Sequence, residues 1–248
     1  LPAQKTACVL IIGNEVLSGR TRDSNLSFLG TELNKIGIQV TEARVIPDIE
    51  HTIVETLNYA RRHFDYVFTT GGIGPTHDDI TAACVAKAFG VELIRNPDAV
   101  AMLQTHYKPE DLNDARLSMA NTPQNAILIE NPVSKAPGFQ VENVFVLAGV
   151  PRIAQAMFDN LKSRLEGAQT VLSKTVSTDL GEGLVAQPLG EVQARFPHLE
   201  IGSYPYFKDG QAGVSLVVRG RDEAEINLCL DSLKEMIETL GGCPIFTV

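Results

Sequence analysis

The densest run of chemistry-bearing residues is 69–80, TTGGIGPTHDDI. Two threonines end a β-branched and aromatic run at 66–70, a Gly-Gly-x-Gly-Pro loop follows, and two aspartates stand at the head of a helical pattern. Gly71, Gly72 and Gly74 permit positive φ and let backbone N–H groups face a ligand with no Cβ in the way. Donors of that kind suit an anion, most simply a phosphate, with Thr70 and Thr76 beside it. The loop is not a Walker A, because no Gly-Lys-Ser/Thr follows, and it lacks the third glycine of a dinucleotide fingerprint. The alternative is a plain strand-to-helix turn in which Thr76 and Asp79 cap the helix. Three glycines are more than such a turn needs.

Asp78 and Asp79 would repel a phosphate unless a divalent cation lay between them, which makes them candidate catalytic and cation-binding residues. Equally, acids in a first turn complement the helix dipole, at about 0.3–1 kcal/mol each. Glu15 follows the first apolar run and Asp48 the second. If those strands are parallel to 66–70, both acids reach the same sheet edge, where doubly wound sheets bind ligands. They join the cation candidates, with an N-cap as the equal alternative for Asp48. Asn25 caps or binds where the next helix begins. Lys135 and Gly138, in the turn-rich stretch 135–139, and Gly149, at 148–151, lie on the same expected rim; simple turns are the stronger reading there.

The elements that must hold these residues alternate along the first two thirds of the chain. The run 7–13 (ACVLIIG) is apolar throughout, as a strand buried on both faces requires. Leu26, Leu29, Leu33 and Ile36 recur at helical spacing before Gly37, and strand 38–45 and a helix from about 48 to 63 follow. After strand 66–70 comes a helix over 79–89 stopped by Gly90. Three strand–helix repeats with short connections predict a doubly wound, mostly parallel α/β sheet. A helix at 96–106, an irregular stretch at 112–123, strand-like runs at 126–130 and 141–147 around a loop at 131–139, and a helix opened by Pro151 complete this part. From 170 the order changes to β-α-β-β-α: strand 170–178, helix 183–195, strands 201–207 and 213–219 about a turn at 208–210, and helix 222–240. This predicts two domains, 1–168 and a small α+β domain at 169–248.

The 248 residues carry a formal charge of −9 and are 44% hydrophobic. That balance excludes disorder and argues against a broad nucleic-acid surface, whose affinity comes from neutralising phosphates. The tail, 170–248, holds six Lys and Arg against eleven Asp and Glu, and its GEGL at 181–184 is not a GXXG clamp. No apolar run approaches the ~18 residues of a membrane span, and the first residues do not read as a signal peptide. The four cysteines are far apart with no C-x-x-C, which fits a reducing cytoplasm.

Taken together, these motifs resemble the molybdopterin-cofactor-biosynthesis domain, in the branch represented by the N-terminal part of CinA. The resemblance rests on TTGGIGPTHDDIT, on IGNEVLSG followed by DSN at 23–25, on VIPD, and on ARLSMANTP, NPVSKAPGF and LAGVP further along. It implies an α/β domain binding a pterin or nucleotide phosphate at 71–74. In the molybdenum-cofactor branch, proteins of this fold bind and adenylylate molybdopterin. In the CinA-like branch, and in a related domain of eukaryotic FAD synthase, the implied chemistry is metal-dependent hydrolysis of a pyrophosphate such as ADP-ribose or FAD. Mg²⁺ or Mn²⁺ suits oxygen ligands, and Co²⁺ enters only through the resemblance. The alternative is a protein that binds molybdopterin or a related pterin without turnover. Three departures stand out: Ala148 replaces the usual proline of Leu-Pro-Gly-Val-Pro, Ile153 stands where an acid is common, and Lys135 occupies the place of a small residue. With the chain stopping at Val248, the amidohydrolase domain of CinA and its deamidation are not expected. An oligomerising or lid-forming role is expected of the tail, and a homo-oligomer of the whole.

Overall fold

A computed structural model describes residues 4–168, 170–208 and 210–247. Two compact units divide the chain, Leu1–Ala168 and Gln169–Val248.

The first unit runs β1 (Lys5–Ile12), a one-turn α1 (Asn14–Leu17), α2 (Asn25–Lys35), β2 (Ile38–Ile46), α3 (Glu50–His63), β3 (Tyr66–Thr70) and α4 (Thr81–Phe89). Then come β4 (Leu93–Arg95), α5 (Pro97–Gln104), α6 (Asp114–Ser118), β5 (Asn121–Pro123), β6 (Ile127–Ile129), β7 (Gly138–Val141), β8 (Val144–Leu147) and α7 (Pro151–Leu161). The main sheet has the order β2-β1-β3-β8-β7-β6, parallel from β2 to β8 and antiparallel at β7 and β6. This is the mostly parallel α/β class that the alternating pattern predicts.

β1 explains the layering. Ala7, Val9 and Ile11 pack on one face with Leu29 and Leu33 of α2 and Phe158 of α7. Cys8, Leu10 and Ile12 pack on the other with Ile53 and Leu57 of α3 and Val85 of α4. A strand apolar at every position is stable only when both faces are covered, and each fully buried side chain of this size contributes about 1.5–3 kcal/mol. Phe68 and Phe145 stack at 5.1 Å between centroids, joining β3 to β8 beneath the site.

The structure departs from the expected pattern in the middle of the unit. The loop expected over 131–139 ends early, because residues 138–141 already form β7, which returns through Glu142 and Asn143 into β8. Leu93–Arg95 and Asn121–Pro123 pair as a two-stranded ribbon too short to show periodicity. α4 begins at Thr81, two residues later than expected, without a side-chain cap.

The second unit runs β9 (Leu172–Thr178), α8 (Glu182–Arg195), β10 (Glu200–Lys208), β11 (Gln211–Gly220), α9 (Glu223–Thr239) and β12 (Ile245–Thr247). Its antiparallel sheet has the order β10-β11-β9-β12. Val185 and Val192 of α8 and Ile226, Leu233 and Ile237 of α9 pack on Val176, Val214, Leu216 and Val218. β12 is a fourth strand that the pattern did not announce, and the turn expected at 208–210 includes Asp209, outside the described residues. Among the described residues no helix is long and apolar enough to cross a membrane.

Candidate functional site

Three parallel strands, β1, β3 and β8, end side by side, and their ends touch through glycine. Gly71 has φ +100°, and a Cβ there would lie 2.1 Å from the Ile12 carbonyl oxygen. Gly72 has φ +69°, and its Cβ would lie 2.1 Å from Thr81 Oγ1. A Cβ on Gly149 would meet Gly71 Cα at 3.2 Å. Only residues without a side chain allow this approach. The Gly71 N–H donates to the Leu147 carbonyl at 3.2 Å, and the loop is clamped to α4 by Thr81, whose hydroxyl donates to the Gly71 carbonyl and whose N–H donates to the Gly72 carbonyl, each at 3.0 Å. Among the described residues, the N–H groups of Gly72, Ile73 and Gly74 meet no protein acceptor. Three consecutive free donors at the carboxyl edge of a parallel sheet are what an anion requires.

The loop forms one wall of a cavity of about 470 Å³, with Glu15, Asp79, Ser134 and Gly149 among the other walls. Asp79 Oδ2 accepts from the Thr76 N–H at 2.8 Å and from its hydroxyl at 2.5 Å. It packs where a Cβ on Gly74 would come within 2.7 Å, so the carboxylate is folded under the loop rather than capping α4. Thr76 therefore positions Asp79. Glu15 folds over Gly13, where a Cβ would lie 2.5 Å from its Oε1. These two carboxylates share the cavity.

Other candidates are placed elsewhere. Asp78 and the neighbouring His77 project to solvent and do not line the cavity. Asp48 accepts from the Asn14 N–H at 2.9 Å, bracing the turn after β1, while the N-cap of α3 is Ile49. Gly138 lies within β7, where a Cβ would strike the Val146 carbonyl oxygen at 2.2 Å and Met157 Cε at 2.4 Å; its smallness serves packing. Lys135, at φ +60°, pairs with Glu130 at 3.2 Å and borders a separate groove with Met102 of α5 and Thr105 at its C-terminal end.

Asn25 and Thr70 lie deeper. Asn25 is 3% exposed and donates through Nδ2 to the Gly149 carbonyl at 2.8 Å, tying α2 to the third strand end. Asp23 caps α2, accepting from the N–H groups of Asn25 and Leu26. Two residues that sequence reasoning passed over as individuals organise the site: Thr81, the clamp of the glycine loop, and Asn131. Asn131 is 1% exposed, accepts from the N–H groups of Val133 and Ser134, and donates to the Ser134 hydroxyl and the Ala136 carbonyl. Its signal was the Asn-Pro dipeptide, a turn mark.

No cluster of three or more His, Cys, Asp or Glu that could hold a metal occurs among the described residues. Asp79 Oδ1, which accepts no hydrogen bond there, borders the glycine loop, and Mg²⁺ commonly takes only one or two carboxylates and completes its shell with substrate phosphate and water. The donor set fits a cation that arrives with its substrate. In the second unit, a cavity of about 590 Å³ between β9, β12 and α9 has its cation, Lys174, spent on Glu223 and Asn227.

A glycine-rich loop at the carboxyl ends of the strands of a doubly wound sheet stands where α/β proteins of this class bind their ligands. The chain belongs to the molybdopterin-binding domain family: the family described as "probable molybdopterin binding domain" matches residues 8–167, and "FAD synthase, middle domain" matches 170–241. The crystal structure of CinA from Thermoplasma acidophilum, of unknown function by its own description, is 38% identical over 64% of this chain and 97% of that one, with a TM-score of 0.61. A probable FAD synthase of Caenorhabditis elegans is 31% identical over 96% of this chain, which spans 51% of its length. A protein of Pyrobaculum arsenaticum is 37% identical over 96% of each chain.

Proposed function

We propose that the chain is a hydrolase that splits a nucleotide pyrophosphate of the FAD or ADP-ribose type with a divalent cation, Mg²⁺, Mn²⁺ or Co²⁺. The observation that carries this reading is the pairing, in one cavity, of three free N–H donors at 72–74 with the carboxylate of Asp79. The N–H groups hold phosphate oxygens in place. Asp79 would hold the cation together with those oxygens, and the cation supplies charge neutralisation on the phosphates. Thr76 fixes the Asp79 carboxylate beforehand, so little reorganisation is needed when the substrate enters. The likeness to FAD synthases on both units supports a nucleotide substrate.

The test is AMP release from FAD and ADP-ribose under each cation, with Asp79→Asn as control. Asparagine still offers an oxygen to the Thr76 N–H, so the loop is kept while the charge is lost. Cation-dependent AMP that falls at least 100-fold in the variant is expected; turnover unchanged in the variant would refute the assignment. A second reading, a protein that binds a pterin without turnover, is favoured by the family description. Molybdopterin binding with no AMP under any cation would select it.

A further inference from the structure

Behind the phosphate cavity lies a recess of about 40 Å³, and Glu15, Thr21, Gly149 and Pro151 line both spaces. A recess of this size takes one to three waters. Two side chains on its wall carry buried polar atoms with no partner: Asn25 Oδ1, on a residue 3% exposed, and Thr70 Oγ1, on one 1% exposed. Burying such atoms unpaired costs about 1–3 kcal/mol each, so a donor belongs beside them. The Asn25 amide cannot turn to supply one itself, because its Nδ2 is committed to the Gly149 carbonyl. Its oxygen therefore remains an unpaired acceptor on a residue that lines the recess.

From this geometry we infer that the recess holds the water that attacks phosphorus, and that Glu15 is the catalytic base that takes its proton. This rests on the pyrophosphatase reading above. A water there donates one hydrogen to Asn25 Oδ1 and the other to the Glu15 carboxylate, with Thr70 Oγ1 as a further contact. Both hydrogens are then occupied, and a lone pair is left for the phosphate held at 72–74. In the step, the water oxygen bonds to phosphorus and its proton passes to Glu15. The bond from phosphorus to the bridging oxygen breaks, and the second phosphate leaves with that electron pair. Two monophosphates result, and Glu15 returns its proton to solvent. No oxidant or further reactant is needed. Glu15 thus acts on water, whereas Asp79 acts on the cation.

The experiment compares wild type with Glu15→Gln, which keeps size and hydrogen bonding but cannot accept the proton. Steady-state hydrolysis of ADP-ribose and FAD is measured with the cation concentration giving half-maximal rate, and AMP affinity is measured by calorimetry. Loss of a general base predicts a kcat about 10²–10⁴-fold lower. KM, AMP affinity and the half-maximal cation concentration should stay within about threefold, since phosphate positioning is retained. Asn25→Ala removes the orienting acceptor and is expected to lower kcat at least tenfold; should it fail to fold, Glu15→Gln decides alone. A Glu15→Gln kcat within tenfold of wild type overturns the inference and leaves the pyrophosphatase reading standing. A half-maximal cation concentration that rises as far as kcat falls overturns it in favour of a cation ligand. Wild type without turnover under any cation overturns both.

Discussion

Gly72→Ala isolates the geometry on which the site depends. An L-residue at φ +69° pays about 1–2 kcal/mol for the left-handed backbone. The new Cβ would also stand 2.1 Å from Thr81 Oγ1, on a residue that is fully buried and hydrogen-bonded to the Gly71 carbonyl, so it has nowhere to move. Forcing a methyl group into a packed site costs about 1–3 kcal/mol more. The sum, about 2–5 kcal/mol, lowers Tm by roughly 4–20 °C in a chain of this size. Thr81→Ala alone forfeits one hydrogen bond, worth about 0.5–1.5 kcal/mol. In the double variant the hydroxyl that the Cβ strikes is gone, so the clash is largely relieved while the backbone strain stays. The two changes should couple favourably by about 1–3 kcal/mol in a cycle of urea melts. Additive penalties, or a Gly72→Ala protein that melts within 2 °C of wild type, would refute the reasoning that this glycine is demanded by both strain and contact.

Two further expectations concern single side chains. Asp65 accepts from Lys5 Nζ and from the N–H and hydroxyl of Thr6, fastening the start of β1 to that of β3. Burial pushes its carboxyl up, but the Lys5 pairing and the Thr6 hydrogen bonds outweigh this and hold it below the usual carboxylate value. A depressed folded-state value stabilises above the ordinary carboxylate range and loses that contribution as pH falls through the folded value. Asp65→Asn should therefore lower Tm at pH 7 by an amount that shrinks toward pH 3; a pH-independent difference in thermal melts would contradict the ionic account. Lys135→Ala should leave KM within about twofold and Tm within about 3 °C, because its half-exposed pair with Glu130 is worth about 0–1 kcal/mol and faces another groove. A tenfold rise in KM would return Lys135 to the phosphate site.

How far residues can be read before the fold is known depends on where their partners lie. β3 was legible to the residue, and β1 as an apolar run, because strand character is written in consecutive side chains. The glycine loop was legible for a similar reason: positive φ at Gly71 and Gly72 is a local demand that leaves a local mark. Gly138 carries the same letter for another cause, contact with Val146 and Met157, and nothing near it in sequence separates a packing glycine from a ligand-facing one. Asp48 reads equally as a cation ligand or a cap until the fold brings up Asn14, 34 residues away. Asp78 and Asp79 are the sharpest case, since adjacent identical carboxylates cannot be told apart by type. Thr76 touches both, and its hydroxyl helps hold the Asp78 carboxyl below the usual carboxylate value. What separates them is the Thr76 N–H, which binds Asp79 and draws that carboxylate against Gly74 at the cavity wall, while Asp78 stays largely exposed and off it. Residue type thus tells which chemistry the edge of the sheet could hold, and the hydrogen bonds within the glycine loop decide which side chain is positioned for it.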